Sequence, residues 1–476
     1  MPSNRAVGPL DKRRTLTRCV HCAKRRIKCD NRFPCRQCIR RDISCEPQQQ
    51  KRDAVAIFVQ TIGPNESGED SIGSDKRIVA STAIEQCTTI GPLKIIPVDQ
   101  NTRFLAQFVV FVEKNALTVR FPLLLPDLLS LLPTSAVMHH AATALGALEA
   151  IRFNPENLVP GQISPRMAAI RAYQTTLAAL QSCLGEANVA ERDDVLWTTI
   201  FLGLFELLSD RSGKGWIKHM LYGTSKMLQL VGPSMVKSPL RRGFFDLFRV
   251  LEASRSLLYN EATILSQECW IELQKKLSSS RDIHWEPMEA ILNLMIETSA
   301  FSLRSRATME SIPESERHTD PSITLIAAEG FIIQSALYNW HTEALIHLSQ
   351  NHTDDYFSLS LLYYHALTIF LSGNYDYFPF WDNIPAPVLS PDEIVDHVNA
   401  ILDISEQLMP RSRLPGVMLF FPFTVAGSRA RLPDHRTKIL SLIDRVINDG
   451  FVVAHRIKDK MIARWKEVDG RVLLVK

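Results

Sequence analysis

Cysteine is scarce outside one short stretch: of nine in 476 residues, only Cys87, Cys183 and Cys269 are scattered along the rest of the chain. Three isolated thiols make no disulfide framework. The opening residues MPSNRAVGPLDKRR lack the apolar core of a secretory leader, so a reducing compartment is expected. Long apolar runs are missing as well. Two uncharged windows, 128–148 and 356–375, are long enough to test as membrane spans. The first holds Pro133, Thr134, Ser135 and the His139-His140 pair, and the second holds Ser358, Ser360 and His365. Both read as buried helices of a soluble protein, with no membrane partner. Also absent are a glycine-rich phosphate loop, an HExxH pair and a G-x-S-x-G elbow, so the chain is not read as an enzyme. No alternating strand pattern or Asn-Gly hairpin signal competes with helix anywhere in the body.

The remaining six cysteines fall at Cys19, Cys22, Cys29, Cys35, Cys38 and Cys45, in the run CVHCAKRRIKCDNRFPCRQCIRRDISC. The spacing is C-x2-C-x6-C-x5-C-x2-C-x6-C, two halves with one pattern. Zinc takes four tetrahedral ligands and favours thiolates. Two zinc ions have eight ligand places, which six sulfurs fill only if two of them bridge both metals. His21 lies inside the first pair but is not needed as a ligand. So small a segment has no core of its own, and metal binding is expected to hold its fold.

Charge is as unevenly placed as cysteine. From Lys12 to Arg52 there are fourteen Lys or Arg against Asp30, Asp42 and Glu46, a balance of +11 in a chain whose net charge is +3. The remainder is therefore acidic by about eight charges. A metal-held basic head on an acidic body is an electrostatic footprint for nucleic acid.

The spacing, the KRRIKCD run and the Pro34-Cys35 step resemble the fungal binuclear zinc-cluster transcription factors. The resemblance implies two Zn2+ per chain, with Cys19 and Cys35 as bridges. Cys22 and Cys29 would complete one site, and Cys38 and Cys45 the other. It implies double-stranded DNA as partner and the nucleus as location, where the basic clusters at 12–14 and 24–26 would also serve import. Zinc-cluster modules place a short helix in the major groove, and the resemblance puts base reading on Arg25 and Arg26. Arginine forks onto guanine O6 and N7, so a CGG-type half-site is expected. Lys24, Lys28, Arg36, Arg40 and Arg41 are placed as phosphate contacts, which position the module without reading sequence. Two departures stand out: Arg26 replaces the usual lysine, and Ala23 a usual basic residue. Pro34 lies in the loop that often holds a cis proline in this family.

Short helices are expected over 24–28 and 36–41. Residues 1–18 read as a basic arm, 19–45 as the zinc cluster and 46–100 as a linker. The polar stretch NESGEDSIGSDK at 65–76 makes that linker largely disordered by composition. The coiled coil that often follows such clusters is not visible, since 48–101 shows no sustained heptads.

Residues 101–476 read as a large all-α domain. Expected helices cover 164–184 (Ser164 cap, Pro165 in the first turn), 193–208, 216–231, 240–259, 287–309 and 324–349. Others cover 356–371, 391–409, 435–448 and 452–468. Three stretches, RAYQTTLAALQSCL, WIKHMLYG with Gly232-Pro233, and FFPFTVAG, resemble the fungal-specific regulatory domain that follows such clusters. Asp193-Asp194 reads as a helix start and His139-His140 as a helix face. Trp216 and His219 read as structural, and YDYFPFW at 375–381 as inter-helix packing rather than a ligand pocket.

The sequence thus predicts a transcription factor for RNA polymerase II genes, with secondary-metabolite clusters as a target class and primary metabolism, sterol or drug response as alternatives. A zinc-dependent RNA- or protein-binding module is the reading from outside that class. Whether the helical body engages a homodimer partner, a co-regulator or a small-molecule effector stays open at this level.

Overall fold

Proline and serine punctuate the body so regularly that its helix starts follow from them. Ser164, Ser238 and Ser390 cap helices whose first residues are Pro165, Pro239 and Pro391, each hydroxyl accepting a backbone N–H from the first turn. Proline is tolerated there because its missing N–H would have no helical partner, and the cap satisfies a neighbouring donor. Ser390 and Glu393 complete a reciprocal capping box.

The structure is a computed structural model that describes residues 35–41, 45, 99–153, 163–279, 285–350 and 354–474. The chain divides into two units, Met1–Ile57 and Phe58–Lys476. In the first, the described residues include one short helix, α1 (Arg36–Ile39). The expected helix at 24–28, the isomer of the bond at Pro34 and the character of the linker fall outside the described residues.

The second unit is helical throughout, with no strand among the described residues. It opens with α2 (Gln100–Lys114), which Asp99 caps, and α3 (Leu125–Leu131). Then come α4 (Ala136–Phe153), α5 (Pro165–Cys183) and α6 (Asp193–Ser209). The apolar window 128–148 is thus not one helix; it breaks around Pro133 into α3 and α4. Phe104, Phe108, Phe111 and Val112 form the buried stripe of α2, the spacing of one helix face. That face meets α4 so closely that a Cβ on Gly146 would sit 1.8 Å from the carbonyl oxygen of Phe104. Glycine is required here because backbone, not side chain, fills the space.

Helix α6 is buried over its whole middle, from Val195 to Leu207. Its acidic start is anchored by arginines: Arg192 reaches Asp194 at 2.7 Å and Arg241 reaches Asp193 at 2.5 Å. The segment expected as one helix from 216 is three pieces: α7 (Lys214–Lys218), a π-helical turn (His219–Thr224) and α8 (Ser225–Val231). Gly232, at φ +75°, ends it.

Helix α9 (Pro239–Tyr259) leads into α10 (Glu268–Ser279), α11 (Pro287–Ser311), α12 (Pro321–Gln350) and α13 (Asp355–Ser372). The chain closes with α14 (Pro391–Leu408), α15 (Phe420–Arg429), α16 (Pro433–Asn448) and α17 (Ala454–Leu474). Helix α15, carrying FFPFTVAG, packs against α9, α13, α14, α16 and α17 and is the hub of the later half. Helix α9 packs on α6, α11 and α15, so one apolar core runs through the body.

Contacts between distant parts of the chain knit this unit. The Ala116 N–H donates to the carbonyl of Arg413 at 2.9 Å, and the Tyr356 hydroxyl to that of Ala116 at 2.6 Å. Arg456 donates to the Ser212 carbonyl, and Arg211 pairs with Asp459 at 2.9 Å. No helix among the described residues is long and apolar enough to cross a membrane.

Candidate metal centre and nucleic-acid interface

Cys35 is extended (φ −74°, ψ 152°) and caps α1, so its thiol faces the turn that carries Cys38. The Cys38 N–H donates to Cys35 Sγ at 3.4 Å, and the Cys35 N–H donates to Cys45 Sγ at 3.2 Å. Donors aimed at sulfur favour the thiolate, which is the form that binds metal. The Sγ atoms of Cys35, Cys38 and Cys45 all lie within 4.8 Å of one another. At a Zn–S distance of about 2.3 Å, tetrahedral sulfurs stand roughly 3.8 Å apart, so the three fit one zinc with little movement. Cys35 and Cys38 are fully buried. The donor set and its burial fit a thiolate-bound metal.

Arg36, Arg40 and Arg41 are exposed on α1 and the turn that follows it. Their backbone is fixed by the same turn: the Arg40 N–H donates to the Arg36 carbonyl, and that of Arg41 to the carbonyl of Cys38. Metal ligation and the presentation of these cations are thus one local structure. Cys19, Cys22, Cys29, Lys24, Arg25, Arg26 and Lys28 fall outside the described residues.

The body brings together groups that its sequence keeps far apart. A cavity of about 1050 Å3 lies between α9, α11, the last turns of α12 (Glu343, Ile346, His347), the start of α13 and the loop after α2, with Val119, Val250, Trp285 and Phe357 beside Arg249 and Glu289. Arg249 is buried, yet every arm is held: it donates to Gln274 at 3.0 Å, to Asn293 at 2.6 Å and to Glu289. The aromatic stretch at 375–381 does not line this cavity. Instead Tyr375 is buried, its hydroxyl donating to the Ile326 carbonyl at 3.0 Å, and Arg429 stacks on Tyr377. That is the packing role expected of it.

Glu206, on buried α6, accepts from the Tyr173 hydroxyl at 2.5 Å, and His219 Nδ1 lies 2.8 Å from the same oxygen. Burial, then the Glu206 charge, pushes the Tyr173 phenol well above its ordinary range. Trp216 packs on Gly203. His139 and His140 meet edge-to-face at 5.7 Å on α4. The histidine pair is contiguous in sequence, but no short sequence window contains the Tyr173–Glu206–His219 contacts or the partners of Arg249, and local periodicity carries no signal for them.

A thiolate cluster beside exposed arginines and an all-α body define a class, the fungal zinc-cluster transcription regulator. Residues 17–54 match the fungal Zn(2)-Cys(6) binuclear cluster domain, and residues 114–473 match the fungal specific transcription factor domain. The second match covers most of the chain, and the chain belongs to the fungal-specific transcription factor family. Its cluster domain holds two zinc ions. Two curated relatives are similar over short stretches. An uncharacterized protein of Emericella nidulans is 25% identical over 114 residues, 24% of each chain. The agnestins biosynthesis cluster transcription factor of Paecilomyces divaricatus is 29% identical over 105 residues, 19% of this chain and 15% of that one. The matches therefore span about a quarter or less of either relative's length. No solved structure matches the chain significantly.

Proposed function

We propose that this chain is a nuclear regulator of RNA polymerase II genes that reads CGG-type half-sites through its two-zinc head. Six thiolates hold the metals, Cys19 and Cys35 bridging, Cys22 and Cys29 completing one site, Cys38 and Cys45 the other. Arg25 and Arg26 read base edges in the major groove, while Lys24, Lys28, Arg36, Arg40 and Arg41 hold phosphates. The observation that carries this reading is the grouping of Cys35, Cys38 and Cys45 sulfurs within 4.8 Å beneath exposed arginines. The target class proposed is a secondary-metabolite biosynthetic gene cluster, supported by the printed role of the Paecilomyces relative.

Site selection from a random duplex pool, with the zinc-loaded full chain, tests it. Enrichment of CGG-type triplets is the expected result, and their spacing reports one head or two. No enrichment with both zinc ions bound would move the assignment to RNA or protein recognition.

A further inference from the structure

Helix α12 is thirty residues long and nearly free of charge, with large apolar side chains on its outer as well as its inner face and Glu329 and Glu343 as its formal charges. Its inner face packs on α11 and α13 through Ile323, Ile326, Ile333, Leu337, Trp340 and Ala344. A helix at a protein surface ordinarily turns a charged face outward, and one that is apolar on both faces belongs in an interior. The outward face of α12 carries no such charged stripe: its large side chains are apolar and its polar ones small and uncharged.

That face has a regular build. Leu325, Ile332, Asn339 and Ile346 recur every seven residues along one edge, and Phe331, Tyr338 and Leu345 do so along the other. Leu325 is 69% exposed, Ile332 66%, and Leu345 and Ile346 52% each. Between these ridges runs a row of small residues, Ala328, Ser335, Thr342 and Ser349, also seven apart. The hydroxyls in that row already donate to their own helix: Ser335 to the Phe331 carbonyl at 2.8 Å, Thr342 to that of Tyr338 at 2.9 Å, and Ser349 to that of Ile346 at 2.7 Å. Water is therefore not needed to satisfy them. Two apolar ridges flanking a shallow, internally satisfied groove are what a second helix packs into.

We infer that this face of α12 is a self-association surface, and that its occupant is α12 of a second copy. Three observations favour a second copy over a foreign partner. The ridges and groove complement themselves, as an isologous two-fold contact requires. Asn339 interrupts an otherwise Leu/Ile ridge; its amide both donates and accepts, so it pairs with itself across a two-fold and sets the register. The exposed parts of the large side chains amount to roughly 600–700 Å2, above what a monomer usually leaves in one patch and close to the ~800 Å2 per partner of a standard interface. With almost no charge on the face, neither copy repels the other.

Sedimentation velocity of the zinc-loaded full chain at tens of micromolar, without DNA, tests this. The expected result is a dimer, with Ile332→Glu/Ile346→Glu weakening it about 100-fold or more and leaving the helical circular dichroism unchanged. A monomeric parent chain overturns the inference, and so does a double variant that dimerises like the parent. A monomer that floats with phosphatidylcholine vesicles would assign the face to a lipid surface instead, also overturning it. Should the double variant misfold, Asn339→Cys in a Cys269→Ser background, which removes an exposed thiol, decides the matter. A short thiol-to-thiol reagent should then trap a dimer, and its failure to do so overturns the pairing. Mass is read without nucleic acid, so the outcome is independent of the half-site assignment.

Discussion

His365 Nδ1 lies 2.8 Å from His397 Nδ1, between α13 and α14. At that distance one ring supplies the proton and the other the lone pair, so the contact holds with both imidazoles neutral. A third ring, His341 on α12, stacks on Tyr364 at 4.5 Å and stands 6.3 Å from His365. Burial, then His397 and His341, push His365 down to about 3. Burial likewise lowers His397, against the opposing pull of Glu393 and Asp396.

Acid should therefore loosen this three-helix corner. The folded His365 refuses a proton that the unfolded chain accepts below its ordinary value of 6.5. Stability is full above that pH and falls as pH drops from 6.5 towards 3, by up to about 1.4 kcal/mol per pH unit for each such imidazole. Urea midpoints at neutral and mildly acidic pH measure the slope. His365→Gln should flatten it by about one proton; an unchanged slope would place the acid sensitivity elsewhere.

A second prediction concerns a buried charge pair. Arg255 and Glu252, both buried on α9, meet through two bonds at 2.7 and 2.8 Å, and Glu261 adds a third at 2.7 Å. Glu252→Ala leaves the guanidinium buried with half its partners and should cost about 3–5 kcal/mol. Replacing both, Glu252→Leu with Arg255→Met, should recover most of that loss. Denaturant unfolding of the two variants compares them; equal losses would mean that packing, not charge, holds the site.

For the head, Cys35→Ala should leave fewer than two zinc ions per chain, since it removes the proposed bridge. Zinc released to a chromogenic chelator gives the count. Far-ultraviolet circular dichroism should scarcely change, because the described helices other than α1 all lie in the body, away from these cysteines in the chain. Retention of both ions would sink the bridging assignment.

On DNA, Arg26→Ala should lose about 1–3 kcal/mol of discrimination between half-sites. Lys28→Ala or Arg40→Ala should instead weaken all duplexes alike and lower the salt slope by about one. Titrations on specific and scrambled duplexes at several salt concentrations separate the two classes. Equal losses on both duplexes for Arg26→Ala would remove its base-reading role.

What was legible in the sequence was whatever short-range chemistry decides. Ser164-Pro165 and Gly232 mark helix boundaries because caps and φ limits act within a few residues, and α5 starts and α8 stops where those residues place them. The cysteine spacing was readable for the same reason: Cys35 and Cys38 are a turn apart. The π turn at 219–224 was not legible, since it answers to packing between α6 and α7 rather than to its own composition. Nor was the pairing of His365 with His397, thirty-two residues away on another helix. The seven-residue rows of α12 are plain in the sequence, but which of its two apolar faces looks outward emerges only with α11 and α13 in place.

The long-range ties at Ala116, Ser212, Tyr356, Arg413 and Arg456 also bear on synthesis. The turn after α6 cannot receive its bond from Arg456 to the Ser212 carbonyl until α17 has been made, so this part of the body must finish folding late. At about 5–20 residues per second, the ribosome delivers Cys45 roughly 20–90 s before Leu474. For that interval the nascent chain offers the complete set of six thiols to cellular zinc while its regulatory body still awaits its last helix.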